Sequence, residues 1–338
     1  MEYQAKQIAT TMLNANEAYW NVSDEILTEI KARLEQVMFH RYPDETSHAL
    51  IQAYSKVIQK DSKQIIAGNG SDEMLGFMIS YYLHQGDVLF TLAPDFSMYD
   101  YYASLNDVCV KKYQTKEDGS FDMDDFIKEA KALQPKMILF SNPNNPTGHF
   151  VKNEEILKLV NAFLDTVIII DEAYGEFSQA SILAYVDTYP NLFVTRTLSK
   201  AYGLASARLG FLIGHLDVIE DLRKKIVPYN ISTFDQIVGE VVLAHAHTYQ
   251  GYIDEIKAER DLMYEDLKNL KHLTLYPSNA NYLYGRSNYK QVLLDAFKEA
   301  DIVIRNYADD SFRITIGSKE ENHIVKEILR RVDQEVSV

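Results

Sequence analysis

The segment RTLSKAYGLASARLG, Arg196–Gly210, carries the residue combination on which the interpretation of the whole chain depends. Thr197 and Ser199 precede Lys200 closely. Arg208 follows Lys200 by eight residues. Most lysines are solvated surface charges, but a lysine near another cation and a buried ring has a lowered pKa. Such a lysine acts as an amine nucleophile and forms a Schiff base with a carbonyl group. The surrounding motifs decide between these two interpretations.

Six short apolar runs are typical of buried strands. Five precede this segment and one begins at its last residue: Gln64–Ala67, Val88–Leu92, Met137–Phe140, Thr166–Ile170, Asn191–Thr195 and Gly210–Gly214. Helix-like segments such as Ser71–Leu83 and Asn153–Leu164 lie between most of them. Strands that alternate with helices and are apolar on both faces are typical of a mainly parallel sheet covered on both sides. We therefore expect an α/β fold in which some strands run antiparallel.

Polar motifs follow five of these runs, at the point where each strand is expected to end. They are GNGSDE (Gly68–Glu73), APDF (Ala93–Phe96), SNPNNPTG (Ser141–Gly148), DEAY (Asp171–Tyr174) and RTLSK (Arg196–Lys200). Ligands of open parallel sheets bind beyond the carboxyl ends of the strands. Five polar motifs that each follow a strand are hard to explain by folding alone. They indicate a ligand site at the edge of the sheet where these strands end.

Each motif also has a purely structural interpretation. The glycines Gly68 and Gly70 allow tight turns, and the following helix N-terminus either binds a phosphate or is an ordinary cap at Ser71. Asp171 is either a partly desolvated acid that needs a cationic partner or a helix N-cap. The Asn- and Pro-rich SNPNNPTG segment also suits a plain connecting loop.

The C-terminal third has a different pattern. A long, charged, helix-like stretch covers Asp235–Leu270, and shorter strand and helix patterns follow it. This α+β pattern predicts a smaller domain. We expect a large domain at residues 45–234, while residues 1–44 and 235–338 form the small domain and an N-terminal segment with little strand character.

Composition narrows the functional class. The 338 residues include 34 Lys plus Arg and 49 Asp plus Glu, a formal net charge of −15, which argues against a nucleic-acid partner. Cys109 is the sole cysteine, so internal disulfides and cysteine-based zinc clusters are excluded. His245 and His247 are two residues apart, face different sides of a helix, and do not predict a metal site.

The sequence contains no apolar run of membrane-spanning length, and its N-terminus is polar. We therefore expect no membrane association and a cytoplasmic location.

Taken together, the ordered motifs GNGSDE, NNPTG, DEAY and SKAYG with Arg208 resemble the pyridoxal-phosphate-dependent aminotransferases of fold type I. The resemblance covers roughly Asn14 to Gly317. Within this family, the segments RYPD, SMY, VPYN, ANYL and FRITIG are most similar to those of the histidinol-phosphate aminotransferases. The resemblance implies a mainly parallel large domain that binds pyridoxal 5'-phosphate, a smaller α+β domain, and a homodimer with shared active sites.

The resemblance also implies roles for individual residues. Lys200 would bind the cofactor aldehyde and move the proton, and Asp171 would pair with the pyridinium nitrogen. Tyr174 and Asn145 would bind the ring hydroxyl, and Phe96 would stack on the ring. The implied phosphate site consists of Gly70, Ser71, Asp72, Thr197, Ser199 and Arg208, with Tyr42 reaching the phosphate of the neighbouring subunit. The implied substrate-binding residues are Arg313, Arg305, Asn16 and Asn145.

The implied reaction exchanges an amino group between L-histidinol phosphate and 2-oxoglutarate or glutamate, in histidine biosynthesis. Two departures from the family pattern affect the substrate assignment rather than the cofactor chemistry. No proline follows Asn16 and Glu17, and Asp95 stands where threonine is frequent. An aromatic amino-acid aminotransferase and a threonine-phosphate decarboxylase-like lyase therefore remain as alternatives.

Overall fold

The computed structural model describes residues 9–337, and within them the chain forms two β-sheets surrounded by helices. The strands are β1 (Thr11–Leu13), β2 (Ile65–Asn69), β3 (Val88–Ala93), β4 (Cys109–Gln114), β5 (Met137–Ser141), β6 (Val167–Asp171), β7 (Leu192–Thr197), β8 (Leu209–Ile213), β9 (Thr274–Tyr276), β10 (Tyr282–Arg286), β11 (Ile302–Asn306) and β12 (Ser311–Thr315). The α-helices are α1 (Asp24–Leu34), α2 (His48–Ile58), α3 (Gly70–Tyr82), α4 (Met98–Ser104), α5 (Met123–Leu133), α6 (Asn153–Ala162), α7 (Leu216–Arg223), α8 (Thr233–Ala244), α9 (Tyr249–Leu267), α10 (Lys290–Glu299) and α11 (Lys319–Glu335).

The larger sheet has seven strands in the order β2-β8-β7-β6-β5-β3-β4. Strands β3 to β7 pair in parallel, while β8 runs antiparallel to both of its neighbours, β7 and β2. The carboxyl ends of β2, β3, β5, β6 and β7 therefore lie at one edge of the sheet. This confirms the expected α/β fold and brings the five polar motifs to the same edge.

Helices cover both faces of the larger sheet. Neighbouring residues of one strand alternate between two cores, as in β6, where Ile168 and Ile170 belong to one core and Ile169 to the other. Strands buried on both faces explain the nearly continuous apolar runs of the sequence. All six expected strands are confirmed to within two residues at each end.

Strand β4 was not predicted from the sequence. Its central residues Lys111 and Lys112 are exposed because β4 pairs with β3 alone at the edge of the sheet. Charged residues are common on such strands because they discourage pairing with another chain. An edge strand therefore lacks the apolar run by which its neighbours were recognised.

The smaller sheet has the order β1-β11-β12-β10-β9 and combines one N-terminal strand with four C-terminal ones. The N-terminal segment, expected to have little strand character, contributes the three-residue strand Thr11–Leu13, which pairs in parallel with β11. Three residues are too few to show a strand periodicity. The helix-like stretch Asp235–Leu270 forms two helices, α8 and α9, which a 3₁₀ turn at Ala246–Thr248 separates. His and Thr are weak helix formers, which explains the break.

None of the helices formed within residues 9–337 combines the length and the apolar character needed to cross a bilayer.

Candidate active site

Asp171 ends strand β6 at the carboxyl edge of the larger sheet and is almost fully buried. Its carboxylate oxygens accept hydrogen bonds from Tyr99 Oη and Thr195 Oγ1, both at 2.9 Å. Burial raises the pKa of Asp171 to about 6, although these hydrogen bonds act in the opposite direction. A buried carboxylate is stabilised by a cationic partner, and Asp171 lines a cavity that can accept one.

Lys200 lines the same cavity and follows strand β7 by three residues. Its Nζ donates a hydrogen bond to the backbone carbonyl oxygen of Ala15 at 2.8 Å. Desolvation, followed by the positive charge of Arg313, lowers the pKa of Lys200 to about 8. An appreciable fraction of this amine is therefore unprotonated near neutral pH, as a nucleophilic lysine requires.

The N-terminus of helix α3 and Arg208 form a site suited to a phosphate. Arg208 Nη2 lies 2.9 Å from Asp72 Oδ2, and the Thr197 and Ser199 hydroxyls are 2.9 Å apart nearby. Helix N-termini present free backbone N–H groups and a partial positive charge. Together with the guanidinium and the hydroxyl groups of this cavity, they give a set of donors that suits a doubly charged anion.

Two glycines allow this site to be compact. A Cβ on Gly70, which has a φ of +76°, would lie 2.7 Å from Arg208 Nη2. A Cβ on Gly210 would lie 2.1 Å from the backbone nitrogen of Ser71. The glycines therefore permit strand β8 and the guanidinium to approach the first turn of α3.

Hydrogen bonds also connect the N-terminal segment, the loops that follow β5 and β6, and strand β12 of the smaller sheet. Tyr174 Oη accepts a hydrogen bond from Asn16 Nδ2 at 2.9 Å. Arg313 Nη1 donates to Asn145 Oδ1, and its Nη2 donates to the backbone carbonyl oxygen of Asn14 at 2.9 Å. Burial raises the pKa of Tyr174, so its hydroxyl stays protonated at neutral pH. These contacts fix the orientation of Tyr174 and Asn145.

Two adjoining cavities contain the predicted site residues. A smaller cavity of about 110 Å³ is lined by Ser71, Asp72, Phe96, Ser141, Asn145, Asp171, Ala173, Tyr174, Thr197, Ser199, Lys200 and Arg208. A larger cavity of about 790 Å³ shares Phe96, Asn145, Tyr174 and Lys200 with it and extends to the smaller sheet. Arg305 and Arg313 line the larger cavity only. The structure therefore combines an anion-binding compartment with a wider one between the two sheets.

Three predicted residues lie outside both cavities: Gly70, Asn16 and Tyr42. Asn16 is fully buried; its side chain donates to Tyr174 Oη and accepts from Thr315 Oγ1, and its backbone carbonyl oxygen accepts from Asn281 Nδ2. Tyr42 is 81% exposed and stacks on Tyr229 with ring centroids 4.8 Å apart. A role for Tyr42 in a cofactor site therefore requires the site of another chain.

The sequence analysis missed four residues of the site. Tyr99 and Thr195 hold Asp171, and Asp95 accepts hydrogen bonds from the side chain and backbone of Ser141. Asp95 and Ser141 stand at recognised strand ends, so their position was available from the motifs. Tyr99 lies within helix α4 and belongs to the SMY segment, which was recognised by resemblance without a role for the tyrosine, whereas Thr195 lies inside β7, where no local pattern distinguishes it from ordinary core residues.

Comparison with known proteins identifies the family. The family model described as aminotransferase class I and II matches residues 10–329. The chain belongs to this family. It is 36% identical over 324 residues to a histidinol-phosphate aminotransferase of Clostridium kluyveri, covering 95% of this chain and 92% of the relative. It is 34% identical to the enzyme of the same name from Clostridium novyi, covering 92% and 88% of the two chains.

The fold of this aminotransferase also matches solved structures. A histidinol-phosphate aminotransferase from Sinorhizobium meliloti, in complex with pyridoxal-5'-phosphate, superposes with a TM-score of 0.85. The match covers 96% of this chain and 92% of the other at 20% identity, which shows the shared fold. The chain is accordingly a pyridoxal-phosphate-dependent aminotransferase.

The residues of the smaller cavity fit this cofactor. The glycine-lined turn with Arg208 suits the phosphate, and Asp171 offers a buried carboxylate to a protonated ring nitrogen. Lys200 supplies an amine for the aldehyde, and Phe96 supplies a ring face. The phosphate, the ring nitrogen, the aldehyde and the ring face of the cofactor therefore each have a matching side chain at this cavity.

Proposed function

We propose that the protein transfers an amino group between L-histidinol phosphate and 2-oxoglutarate in histidine biosynthesis. The names of the relatives at 34–36% identity support this assignment, because the aligned regions span most of both chains. The observation that carries it within this structure is the set of cations in the larger cavity. Both proposed substrates are anions, one a phosphate ester and the other a dicarboxylate.

The larger cavity is rich in cations that have no acidic partner. Within residues 9–337, Lys116, Lys200, Arg305 and Arg313 line it without an ion pair to a carboxylate. Its three acidic residues already have hydrogen-bond partners: Asp309 contacts Arg286 and Ser311, Glu117 accepts from Tyr276, and Asp95 accepts from Ser141. In a chain of net charge −15, an anionic substrate must be held by local cations of this kind.

The shape of the larger cavity also suits the proposed donor. Tyr284 and Tyr307 line its wall, with ring centroids 6.2 Å apart and an edge-on orientation. Arg305 lies over the Tyr307 ring at 5.8 Å. Aromatic walls can pack against an imidazole ring, while the guanidinium reaches its phosphate. Arg313 is positioned nearer to Lys200, where the carboxylate of glutamate would bind.

The mechanism follows from the positions of the side chains. Bound pyridoxal phosphate supplies an aldehyde and an electron sink. Asp171 would stabilise the protonated form of the ring nitrogen, and Tyr174 and Asn145 would hydrogen-bond the ring hydroxyl. Lys200 Nζ would act as the general base and acid that accepts and donates the proton at the substrate carbon bearing the amino group. Its pKa of about 8 suits both directions near neutral pH.

A substrate panel on the holoenzyme tests the assignment. We expect histidinol phosphate to give the highest kcat/KM among histidinol phosphate, histidinol and phenylalanine, with 2-oxoglutarate as acceptor. Faster turnover of phenylalanine would support an aromatic aminotransferase instead. Release of CO₂ from threonine phosphate without amino transfer would support a lyase.

Two arginine substitutions separate the anion sites. Arg313→Lys is expected to slow the half-reactions of both substrates, because its bidentate fork serves both. Arg305→Ala is expected to slow the half-reaction of histidinol phosphate much more than that of glutamate. Equal effects of Arg305→Ala on the two half-reactions would contradict its role at the phosphate.

We also propose that the protein acts as a homodimer in the cytoplasm. An exposed aromatic patch, composed of Met38, Phe39, Tyr42, Val227, Tyr229 and Phe234, supports the dimer. Phe39 packs on Phe234 at 5.6 Å, and Tyr42 stacks on Tyr229. Contiguous exposed apolar surface of this kind is typical of interfaces. Such an interface would bring Tyr42 to the cofactor phosphate of the other subunit. The cytoplasmic location is supported by composition alone.

A further inference from the structure

One cation of the larger cavity has no assigned role. Lys116 lies in the turn that follows strand β4, on the side of the larger sheet, whereas Arg305 belongs to strand β11 of the smaller sheet. Both residues are exposed, and neither has an acidic partner within the described chain. The two cations therefore approach the mouth of one cavity from two different sheets.

The turn that carries Lys116 is held in place by its own backbone. The Lys116 N–H donates to the Ser120 carbonyl oxygen at 2.9 Å, and the Gly119 N–H donates to the Lys116 carbonyl oxygen at 2.9 Å. Before them, the Thr115 N–H and hydroxyl both donate to the Ala93 carbonyl oxygen, at 3.0 and 3.2 Å. A turn fixed in this way presents its lysine from a defined backbone position, so that only the flexible side chain must be ordered on binding.

Contacts with the rest of the site restrict the same turn. Gly119 has a φ of +83°, and a Cβ at this position would lie 2.1 Å from Thr147 Oγ1 in the SNPNNPTG loop. The neighbouring Glu117 accepts a hydrogen bond from Tyr276 Oη, in the smaller sheet, at 3.2 Å. This contact orients the Glu117 carboxylate toward the smaller sheet and leaves the Lys116 ammonium group for another anion.

We propose that Lys116 and Arg305 together bind the phosphate end of the amino donor, and that Lys116 determines specificity for a phosphate ester over the corresponding alcohol. The inference rests on the proposed function and extends it to a residue of the larger sheet. A phosphate between these cations would be contacted from both sheets. Its two negative charges match these two cations in addition to the Arg313 fork nearer to Lys200, whereas each glutamate carboxylate carries a single charge.

The test compares Lys116→Gln with Lys111→Gln in the holoenzyme. Lys111 is exposed on the adjoining strand β4, does not line the cavity and has no acidic partner in the described residues. Both substitutions change the net charge equally, so long-range effects cancel. We expect Lys116→Gln to lower kcat/KM for histidinol phosphate about tenfold, a change of about 1.4 kcal/mol. The values for histidinol and for the glutamate half-reaction should change less than about twofold. Lys116→Arg should retain most of the rate.

Inorganic phosphate distinguishes this inference from the proposed function. As an inhibitor of the glutamate half-reaction, it should bind the wild-type and Lys111→Gln holoenzymes equally and Lys116→Gln several-fold more weakly. If histidinol phosphate is not a substrate but this difference in phosphate inhibition persists, the substrate assignment is wrong and the anion site stands. Equal rates and equal inhibition in the two glutamine variants would show that Lys116 is a solvated surface charge and overturn the proposal.

Discussion

Two acidic side chains, Asp171 and Asp95, flank Ser141 at the carboxyl edge of the larger sheet. Ser141 pairs with Asp171 across strands β5 and β6, and its hydroxyl donates to Asp95 while accepting from the Asn145 N–H at 2.9 Å. Desolvation is the main cause of a raised pKa at both acids, to about 6 for Asp171 and about 8 for Asp95. Their hydrogen-bond partners differ, and so do the expected consequences of replacing them.

Replacing Asp171 with asparagine tests its proposed contact with the cofactor ring. Asp171→Asn keeps an acceptor for Tyr99 or Thr195 but removes the negative charge, so a protonated ring nitrogen is no longer stabilised. We expect kcat to fall by at least about 100-fold, or roughly 3 kcal/mol in barrier. Single-turnover absorbance measurements check this. Asp100→Asn, which removes a surface carboxylate paired with Lys112, serves as the control and should stay close to wild-type. An active Asp171→Asn enzyme would refute the role.

Asp95 should make stability depend on pH. Its pKa is about 8 in the folded protein, above its ordinary value of 3.8, so the folded state holds a proton that the unfolded state has lost over this interval. The stabilisation is complete below about pH 4 and decreases as the pH rises toward 8, by at most about 1.4 kcal/mol per pH unit. Asp95→Asn removes this pH-dependent contribution to the free energy of unfolding, because asparagine does not titrate. The melting temperature of the variant, relative to wild-type, should therefore increase between pH 5 and pH 8. A constant difference over that range would contradict the prediction.

At the scale of elements, the approach of strand β8 to helix α3 shapes the phosphate site. A Cβ on Gly210 would lie 2.1 Å from the Ser71 nitrogen, which is backbone and cannot rotate away. Gly210→Ala should displace the first turn of α3, destabilise the protein by about 3 kcal/mol and weaken cofactor binding. Denaturant unfolding and cofactor titration measure both effects.

Gly251 provides the matched control for this substitution. It lies in helix α9, and a Cβ there would meet no atom within 4 Å. Gly251→Ala should stabilise the protein by up to about 1 kcal/mol and leave cofactor affinity unchanged, because alanine is the better helix former. A Gly210→Ala protein that binds the cofactor like wild-type would show that α3 does not need this close approach.

The sequence predicts individual strands and helices better than it predicts contacts between distant elements. Strands β5 and β6 were recognisable because both faces are buried, and Asp171 followed from its place directly after the apolar run. The contact of Lys200 with Ala15 spans 185 residues, and that of Asn16 with Tyr174 spans 158. No local pattern encodes such contacts, since they depend on how the N-terminal segment crosses the carboxyl edge of the larger sheet.

At the scale of the whole molecule, overall and local charge have opposite signs. A net charge of −15 repels anions at long range, while the cations of the larger cavity attract them over a few ångströms. Raising the ionic strength screens the long-range repulsion more than the contacts inside a partly enclosed cavity. The proposed selectivity for anions would therefore depend on placed side chains such as Arg305 and Arg313.

The dimer proposal makes a quantitative prediction about mixed subunits. If Tyr42 completes the cofactor site of the other subunit, Lys200→Ala and Tyr42→Ala homodimers each have two defective sites. A hybrid dimer contains one site with both native residues. Random exchange at equal concentrations makes half of the dimers hybrids, each with one native site, so about a quarter of wild-type activity should return. Steady-state rates after subunit exchange, with differently tagged chains to count hybrids, measure this.

A second mixture shows whether the recovery comes from sharing between subunits. Lys200 and Asp171 line the same cavity of one chain, so neither site of a hybrid between Lys200→Ala and Asp171→Asn is native. This mixture should recover nothing even when hybrids form. Tyr42 is 81% exposed and lies outside the cavity of its own chain. It could therefore contact a cofactor only in the site of the neighbouring subunit. Hybrids of Lys200→Ala and Tyr42→Ala that stay inactive, or a monomer with full activity, would contradict a shared site.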